Sequence, residues 1–289
     1  MPELPELEVV REVLQKRVVG KIIARVELLQ PTAAIVVRDL TTRGFVETLT
    51  NATFESVTRR GKFLTFEFSK PVFCSSGAKK TGFENSKLVL NPKLTGRLQL
   101  ATAQDKRYKK TAVVFTLEDD TELRYYDGKA MGQLYLTDDI NRVPDFAILG
   151  PEPFEISRAQ FRERLRPFRG EIKGILTRGE CLAGIGNAYA DEILWHAKLH
   201  PYRKRTQLTS DEIDRLYDAI QNTLRDAIDH IRVEMGENIH REPRDFFAVH
   251  MQTGEPCPRC GTTISEISAN QRITNFCRTC QPRGLIRGM

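Results

Sequence analysis

At 289 residues the chain has room for two domains with cores of their own. Its 44 lysines and arginines outnumber 38 aspartates and glutamates, a net charge of +6 that suits a polyanionic partner without demanding one. No apolar run approaches the roughly 20 residues of a membrane span, the acidic amino terminus lacks the layout of a signal peptide, and four of the 6 cysteines are packed near the carboxyl end while Cys74 and Cys181 stand alone, which suits metal ligation rather than a disulfide framework. The expectation is a soluble, intracellular monomer with no membrane contact.

The chain opens Met1-Pro2-Glu3-Leu4-Pro5-Glu6. Removal of the methionine, usual ahead of a small residue, leaves a secondary amine on Pro2. An α-amino group has a pKa of about 7.7–8.0 against about 10.4 for lysine, so far more of it is neutral at pH 7. Its adduct with a carbonyl is an iminium, cationic because the nitrogen carries no proton, and therefore an electron sink for β-elimination. Glu3 adjoins the amine and Glu6 follows one helical turn on, so both carboxylates can serve one site as acid, base or electrostatic partner. The same residues also read as a plain helix start. Pro5 suits a first turn, glutamates complement the dipole there, and Leu4, Leu7, Val10, Val13 and Leu14 form an apolar face to about Val18.

Strands are predicted next, at Ile22–Leu28, Phe54–Thr58, Phe63–Phe68, Leu88–Leu90, Ala112–Leu117 and Glu122–Tyr126, with Asp119-Asp120 as a hairpin turn. Their number and spacing imply a β-sandwich or barrel carrying one helix. Residues 70–86 read as a polar surface loop. Arg59-Arg60-Gly61-Lys62 reads as a basic hairpin tip, either a phosphate grip or a solvated turn. Prolines at 144, 151 and 153 mark a linker over residues 137–154.

Helices follow. Ser157 with Gln160 forms a capping box for a helix to about Leu165. A short helix spans Glu171–Thr177, another begins at Asn187, and Thr209 with Glu212 caps a long one whose apolar stripe is core. Gly184-Ile185-Gly186 before Asn187 lacks the preceding strand of a dinucleotide loop. It is either a phosphate grip at a helix start or a tight interhelical turn. Cys257, Cys260, Cys277 and Cys280 stand as C-x2-C-x16-C-x2-C, the spacing of a closed, structural Zn2+ site with a β-hairpin between its knuckles and Asn270-Gln271-Arg272 at the tip. Arg272 there offers a phosphate contact, though such ribbons also bind RNA and protein.

These pieces, in this order, resemble the formamidopyrimidine-DNA glycosylase / endonuclease VIII family over essentially the whole chain. The matching stretches are PELPELE at the amino terminus, RRGKFL at 59–64, LGPEPF at 149–154, IKGIL at 172–176, LAGIGNAYADEIL at 182–194 and the cysteine hairpin at 257–281. The resemblance implies an α+β multidomain fold: an N-terminal β-sandwich with a helix (1–136), a linker (137–154), a helix–two-turn–helix domain (155–248) and a zinc β-hairpin (249–289). It implies one structural zinc, no organic cofactor, and damaged duplex DNA as partner. Bifunctional glycosylase/AP lyase chemistry is implied, with β/δ-elimination, Pro2 attacking C1′, Glu3 moving protons on the sugar, and Glu6 and Lys62 completing the catalytic set. Lys173, Asn187, Tyr189 and Arg272 are implied as DNA-binding residues. A bacterial member would work in the cytoplasm or nucleoid.

The chain departs from the family where an everted base must be replaced. The pattern H-L-x-M-[ST]-G stands as Asn91-Pro92-Lys93-Leu94-Thr95-Gly96, and D-x-R-x-F-G as Asp127-Gly128-Lys129-Ala130-Met131-Gly132. Leu94, Lys129 and Met131 are thus the void-filling residues. Lysine cannot address an orphaned base bidentately as arginine does, so the family's opposite-base preference does not carry over to this chain. The segment Met235–Pro256 is short where the formamidopyrimidine branch carries a loop over 8-oxoguanine, so that lesion is expected to be a poor substrate. A lesion-binding protein without catalysis on the same scaffold, and a zinc-ribbon module for RNA or protein, are the competing readings.

Overall fold

The computed structural model describes residues 1–73, 79–83, 86–269 and 272–282, with side chains described throughout except at 71–73, 79–83, 269 and 272. The chain divides into two compact units, Met1–Ala147 with Ile231–Glu242, and Ile148–His230 with Pro243–Met289. Met235, which ends the long helix, and Ile239 just beyond it are buried and line a cleft of the first unit, which is where residues 231–242 group.

The first unit contains α1 (Leu4–Arg17), β1 (Ile23–Leu28), α2 (Thr32–Val36), β2 (Val37–Asp39), α3 (Phe45–Leu49), β3 (Thr53–Arg60), β4 (Phe63–Ser69), β5 (Pro71–Phe73), β6 (Lys79–Phe83), β7 (Ser86–Asn91), β8 (Gly96–Thr102), β9 (Thr111–Leu117), β10 (Thr121–Asp127) and β11 (Gln133–Thr137). One sheet has the order β1-β9-β10-β8 and a second β2-β11-β7-β4-β3. Pairing is antiparallel except for β2 on β11. The sheets meet through aromatic side chains, with the Phe54 and Phe115 rings edge to face at 6.5 Å. This is the expected β-sandwich. The stretch read as a polar loop instead carries β5 and β6, paired with each other, while Cys74 lies outside the described residues. The short helices α2 and α3 and the strands β2, β8 and β11 were not anticipated. All but β8 are brief, and packing rather than periodicity sustains them: Val36, Leu49 and Leu136 are fully buried.

α1 forms as its apolar face predicts, with Leu4 and Leu14 fully enclosed. Two polar contacts pin it to the second sheet's edge, and a third, from Arg11 within the helix, holds Glu8 in place for one of them. Arg59 Nε on β3 donates to Glu8 Oε2 at 2.6 Å, Arg11 Nε donates to Glu8 Oε1 at 2.8 Å, and Gln15 Oε1 accepts the Val57 N–H at 3.1 Å. Burial would raise the Glu8 carboxyl, but hydrogen bonds and charge from Arg11 and Arg59 outweigh it and hold the group below its usual range.

The second unit contains α4 (Arg158–Leu165), α5 (Ile172–Leu176), α6 (Asn187–His196), the long α7 (Ser210–Met235) as far as His230, and the hairpin β12 (Ser265–Ala269) and β13 (Arg272–Phe276). Both predicted capping boxes are present. Ser157 N–H donates to Gln160 Oε1 at 2.8 Å and Thr209 N–H to Glu212 Oε2 at 2.9 Å. Leu216, Ile220 and Leu224 of α7 are fully buried, as the stripe requires. Glu192 on α6 ties down the segment before the cysteines by accepting the N–H groups of Ala248, Val249 and His250 at 2.9, 2.9 and 2.7 Å. Its burial nonetheless pushes the carboxyl above its usual range. No described helix is long and apolar enough to cross a membrane.

Candidate active site and nucleic-acid contacts

Glu3 precedes the first turn of α1 in extended conformation, and Glu6 reaches back so that its Oε2 accepts the Glu3 N–H at 2.9 Å. Both carboxylates are almost fully enclosed, at 1% and 2% exposure. Pro2 and Glu6 line a narrow cleft whose walls include Leu7, Leu90, Arg97 and Glu242. Arg97 donates to Glu242, and the Met1 ammonium lies 3.4 Å from the same carboxylate. Arg97 and Glu242 carried no motif signal. Only the fold, by returning residues 231–242 to this unit, places Glu242 here.

Lys62 sits half-buried in the β3–β4 turn, directly after Gly61, whose φ of +57° belongs to the left-handed region that glycine tolerates. It is not among the residues lining the cleft. Arg59, read at sequence level as part of a basic tip, is folded back on Glu8 and on the Gly61 carbonyl at 3.2 Å, and so fastens α1.

Leu94, Lys129 and Met131 come together at one end of the first sheet. The β10–β8 ladder ends with Asp127 opposite Gly96, so the turn entering β8 and the loop leaving β10 are neighbours. Leu94 is 39% and Met131 47% exposed, high values for large apolar side chains, and Lys129 is exposed beside them. Asp127 is fully buried beneath them.

In the second unit the expected DNA-binding residues are less accessible than the motifs implied. Lys173 is buried, its Nζ 2.6 Å from Asp191 Oδ1 and donating to Thr274 Oγ1 at 2.8 Å and the Ile273 carbonyl at 3.3 Å. The ammonium is drawn inward because Asp191, on the facing helix, is itself fully buried. The Tyr189 ring is entirely enclosed and meets Phe247 edge to face at 5.3 Å. Asn187 Nδ2 donates to the Ile273 carbonyl at 2.9 Å, so Lys173 and Asn187 converge on one backbone group of β13. The backbone of Arg272 begins that strand, while its side chain and the tip residues Asn270 and Gln271 lie outside the described residues. Asp191 Oδ2 also lies 2.8 Å from His250 Nδ1. Asp191 and Glu192 were visible within the LAGIGNAYADEIL stretch but carried no chemical signature of their own.

The four cysteine sulfurs lie within 4.8 Å of one another, Cys257 to Cys280 at 3.9 Å and Cys260 to Cys277 at 3.4 Å. Hydrogen bonding from Thr262 lowers Cys260 to about 6, whereas burial and the neighbouring thiols push Cys280 up to about 12. Thiols this close resist shared ionisation unless a cation gathers them, which is the chemistry of a four-thiolate zinc site. The Trp195 Nε1–H donates to Cys257 Sγ at 3.4 Å, and the Arg259 guanidinium lies 3.9 Å over the indole. The donor set is complete without water, so the zinc is structural.

The domain matches follow this architecture. Residues 1–134 match the formamidopyrimidine-DNA glycosylase N-terminal domain, residues 149–236 its H2TH domain, and residues 254–283 the zinc finger found in FPG and IleRS. Together these are the domains of a DNA-repair glycosylase with a zinc finger. A formamidopyrimidine-DNA glycosylase of Symbiobacterium thermophilum is 36% identical over 98% of this chain and 90% of its own length. One from Bacillus cereus is 34% identical over 98% of this chain and 100% of its own. Among solved structures, Lactococcus lactis Fpg in complex with DNA containing an abasic site aligns with a TM-score of 0.81 at 32% identity, covering 97% of this chain and 100% of that one. MutM in complex with DNA containing carbocyclic 8-oxo-G gives 0.81 at 32%, over 98% and 100%. The chain belongs to the formamidopyrimidine-DNA glycosylase family.

Proposed function

We propose that this protein is a bifunctional DNA glycosylase/AP lyase that removes oxidised or ring-opened bases from duplex DNA and cleaves the abasic strand. The observation that carries the reading is the amino-terminal segment: Pro2 and Glu6 face one cleft, at the head of a helix fastened to the sheet. Glu3 and Glu6 also cap the helix as a capping box, but a helix start by itself has no need to set Pro2 and Glu6 on the wall of a cleft.

In the proposed reaction the Pro2 amine, freed by removal of Met1, bonds to C1′ as the damaged base departs with its glycosidic electrons. The amine gives up its proton to the departing base, and Glu3 protonates O4′ as the ring opens, leaving the iminium. Abstraction of a C2′ proton then pushes electrons towards the cationic nitrogen and expels the 3′-phosphate, and a second elimination releases the 5′-phosphate. Enclosure of Glu3 and Glu6 strengthens their interaction with the developing cation. Lys62, Asn187 and Arg272 are assigned to the phosphates of the damaged strand, and Lys173 to holding β13 in place for them. Eversion of the base costs a few kcal/mol, least for a lesion, with Leu94, Lys129 and Met131 taking its place in the stack.

The test is borohydride trapping of processed, zinc-loaded protein on a duplex carrying one abasic site, with the cross-linked residue located by mass spectrometry. A covalent adduct at Pro2, lost when Met1 is retained, is the expected result. Binding of the same duplex without any adduct would instead establish a lesion-binding protein without catalysis.

A further inference from the structure

The two loops that carry Leu94, Lys129 and Met131 are separate in sequence, yet they share one polar junction. Thr95 Oγ1 donates to Asp127 Oδ1 and accepts the Lys129 N–H at 2.9 Å. The same N–H reaches Asp127 Oδ1 at 3.1 Å. The other carboxylate oxygen accepts the Gly132 N–H at 2.6 Å and the Tyr125 hydroxyl at 3.3 Å. Thr95 follows Leu94 directly, Lys129 carries the cation, and Gly132 follows Met131 directly. Every exposed residue of the trio is therefore within one residue of a bond to this junction.

We infer that the Thr95 hydroxyl and the Asp127 carboxylate are positioning residues that lock the two loops into a single rigid wedge. This rests on the proposed void-filling role of the trio. The physical case is one of entropy. An apolar tip 39–47% exposed on a free loop would lose its mobility on entering a base stack. A carboxylate that is fully buried and receives four donors has already fixed those tips. Backbone strain points the same way, because Lys93 and Ala130 hold φ values of +47° and +51° next to the tips. None of the junction's residues is itself among those lining the cleft that holds Pro2, although Thr95 adjoins Gly96, which is; an effect confined to DNA that has a stack to fill therefore marks the wedge rather than the cleft.

That confinement supplies the test. Thr95→Val keeps the shape and removes the hydroxyl, Thr95→Ser restores it, and Thr95→Ala guards against a packing fault from the added methyl. Each is assayed for cleavage of a duplex abasic site and of a single-stranded abasic site, and for the fluorescence of 2-aminopurine placed opposite the lesion. Loss of one such bond corresponds to about a tenfold effect. Thr95→Val and Thr95→Ala are expected to lower the duplex rate and the 2-aminopurine response about tenfold, to leave single-strand cleavage within about twofold, and to be rescued in Thr95→Ser. Equal losses on both substrates, or an unchanged duplex rate, overturn the inference. A wild-type protein that cuts duplex normally without any 2-aminopurine response removes the wedge itself, and the junction's role with it. A wild-type protein that cuts neither substrate removes the lyase reading.

Discussion

The fastening of α1 is a sharp place to perturb the molecule, because it supports Pro2 and Glu3 without touching them. Glu8→Gln leaves the helix sequence intact and discharges the acceptor of Arg59 and Arg11. Removing one member of a buried ion pair costs about 3–5 kcal/mol, and an exposed pair is worth about 0.2–1 kcal/mol. This pair lies between, since the Arg59 side chain is 7% exposed and that of Glu8 20%. Arg59 also keeps the Gly61 carbonyl. Solvent screening at Glu8 discounts the loss to about 2 kcal/mol, or about 4–8 °C in the melting of a unit this size. The sign of the pH dependence follows from the lowered carboxyl. Its contribution is present above the ordinary 4.5 and disappears as pH falls through the folded value, where the wild-type Glu8 takes up a proton. Melting curves of the two proteins should therefore be furthest apart at pH 7 and converge in acid. A gap under about 0.5 kcal/mol at pH 7, or one that persists unchanged at pH 3.5, refutes the reasoning.

Three further outcomes are expected. Chelation of zinc should change the fluorescence of Trp195, the only tryptophan, and added Zn2+ should restore it, because its indole N–H points at Cys257; unchanged emission during measured zinc release counts against the four-cysteine site. Gly132→Ala should destabilise the first unit by about 1–3 kcal/mol, because the added Cβ meets the Tyr125 hydroxyl. Calorimetry should then find Tyr125→Phe less costly in that background than in the wild type, and strict additivity would refute the contact. On a panel of lesions in duplex DNA, single-turnover rates should be slowest for 8-oxoguanine and faster for ring-opened purines, oxidised pyrimidines and abasic sites; fastest cleavage of 8-oxoguanine overturns that expectation.

How much could be read in advance depended on the range of the forces involved. Local signals were legible: the α1 face, the Ser157 and Thr209 caps and the cysteine knuckles all rest on residues a few positions apart. The Asp127 junction was half visible, since its motif was noticed for Lys129 and Met131 but not for the carboxylate beneath them. Burial was the blind spot. Lys173 looked like a phosphate ligand because nothing nearby in sequence announced Asp191 or the carbonyl of Ile273, which lie 18 and 100 positions away. The enclosure of Tyr189 was hidden for a similar reason, as an amphipathic side chain can face either way until Phe247 closes over it. Glu242 could not be placed at all until the chain returned to the first unit.

That return sets an order of assembly. A growing polypeptide emerges amino end first, and domains tend to fold as they emerge. Here the residues that wall the cleft beside Pro2, from Met235 to Glu242, are synthesised only after the whole of α4, α5 and α6. The helix that opens the chain must therefore wait, with Leu7 and Val10 uncovered on one side, while its neighbours from 148 to 230 are made. A gene fragment ending at residue 147 would translate a β-sandwich permanently caught in that waiting state, sticky where the finished protein is closed. The end of the molecule that carries Pro2 is the first to be made and among the last to be completed.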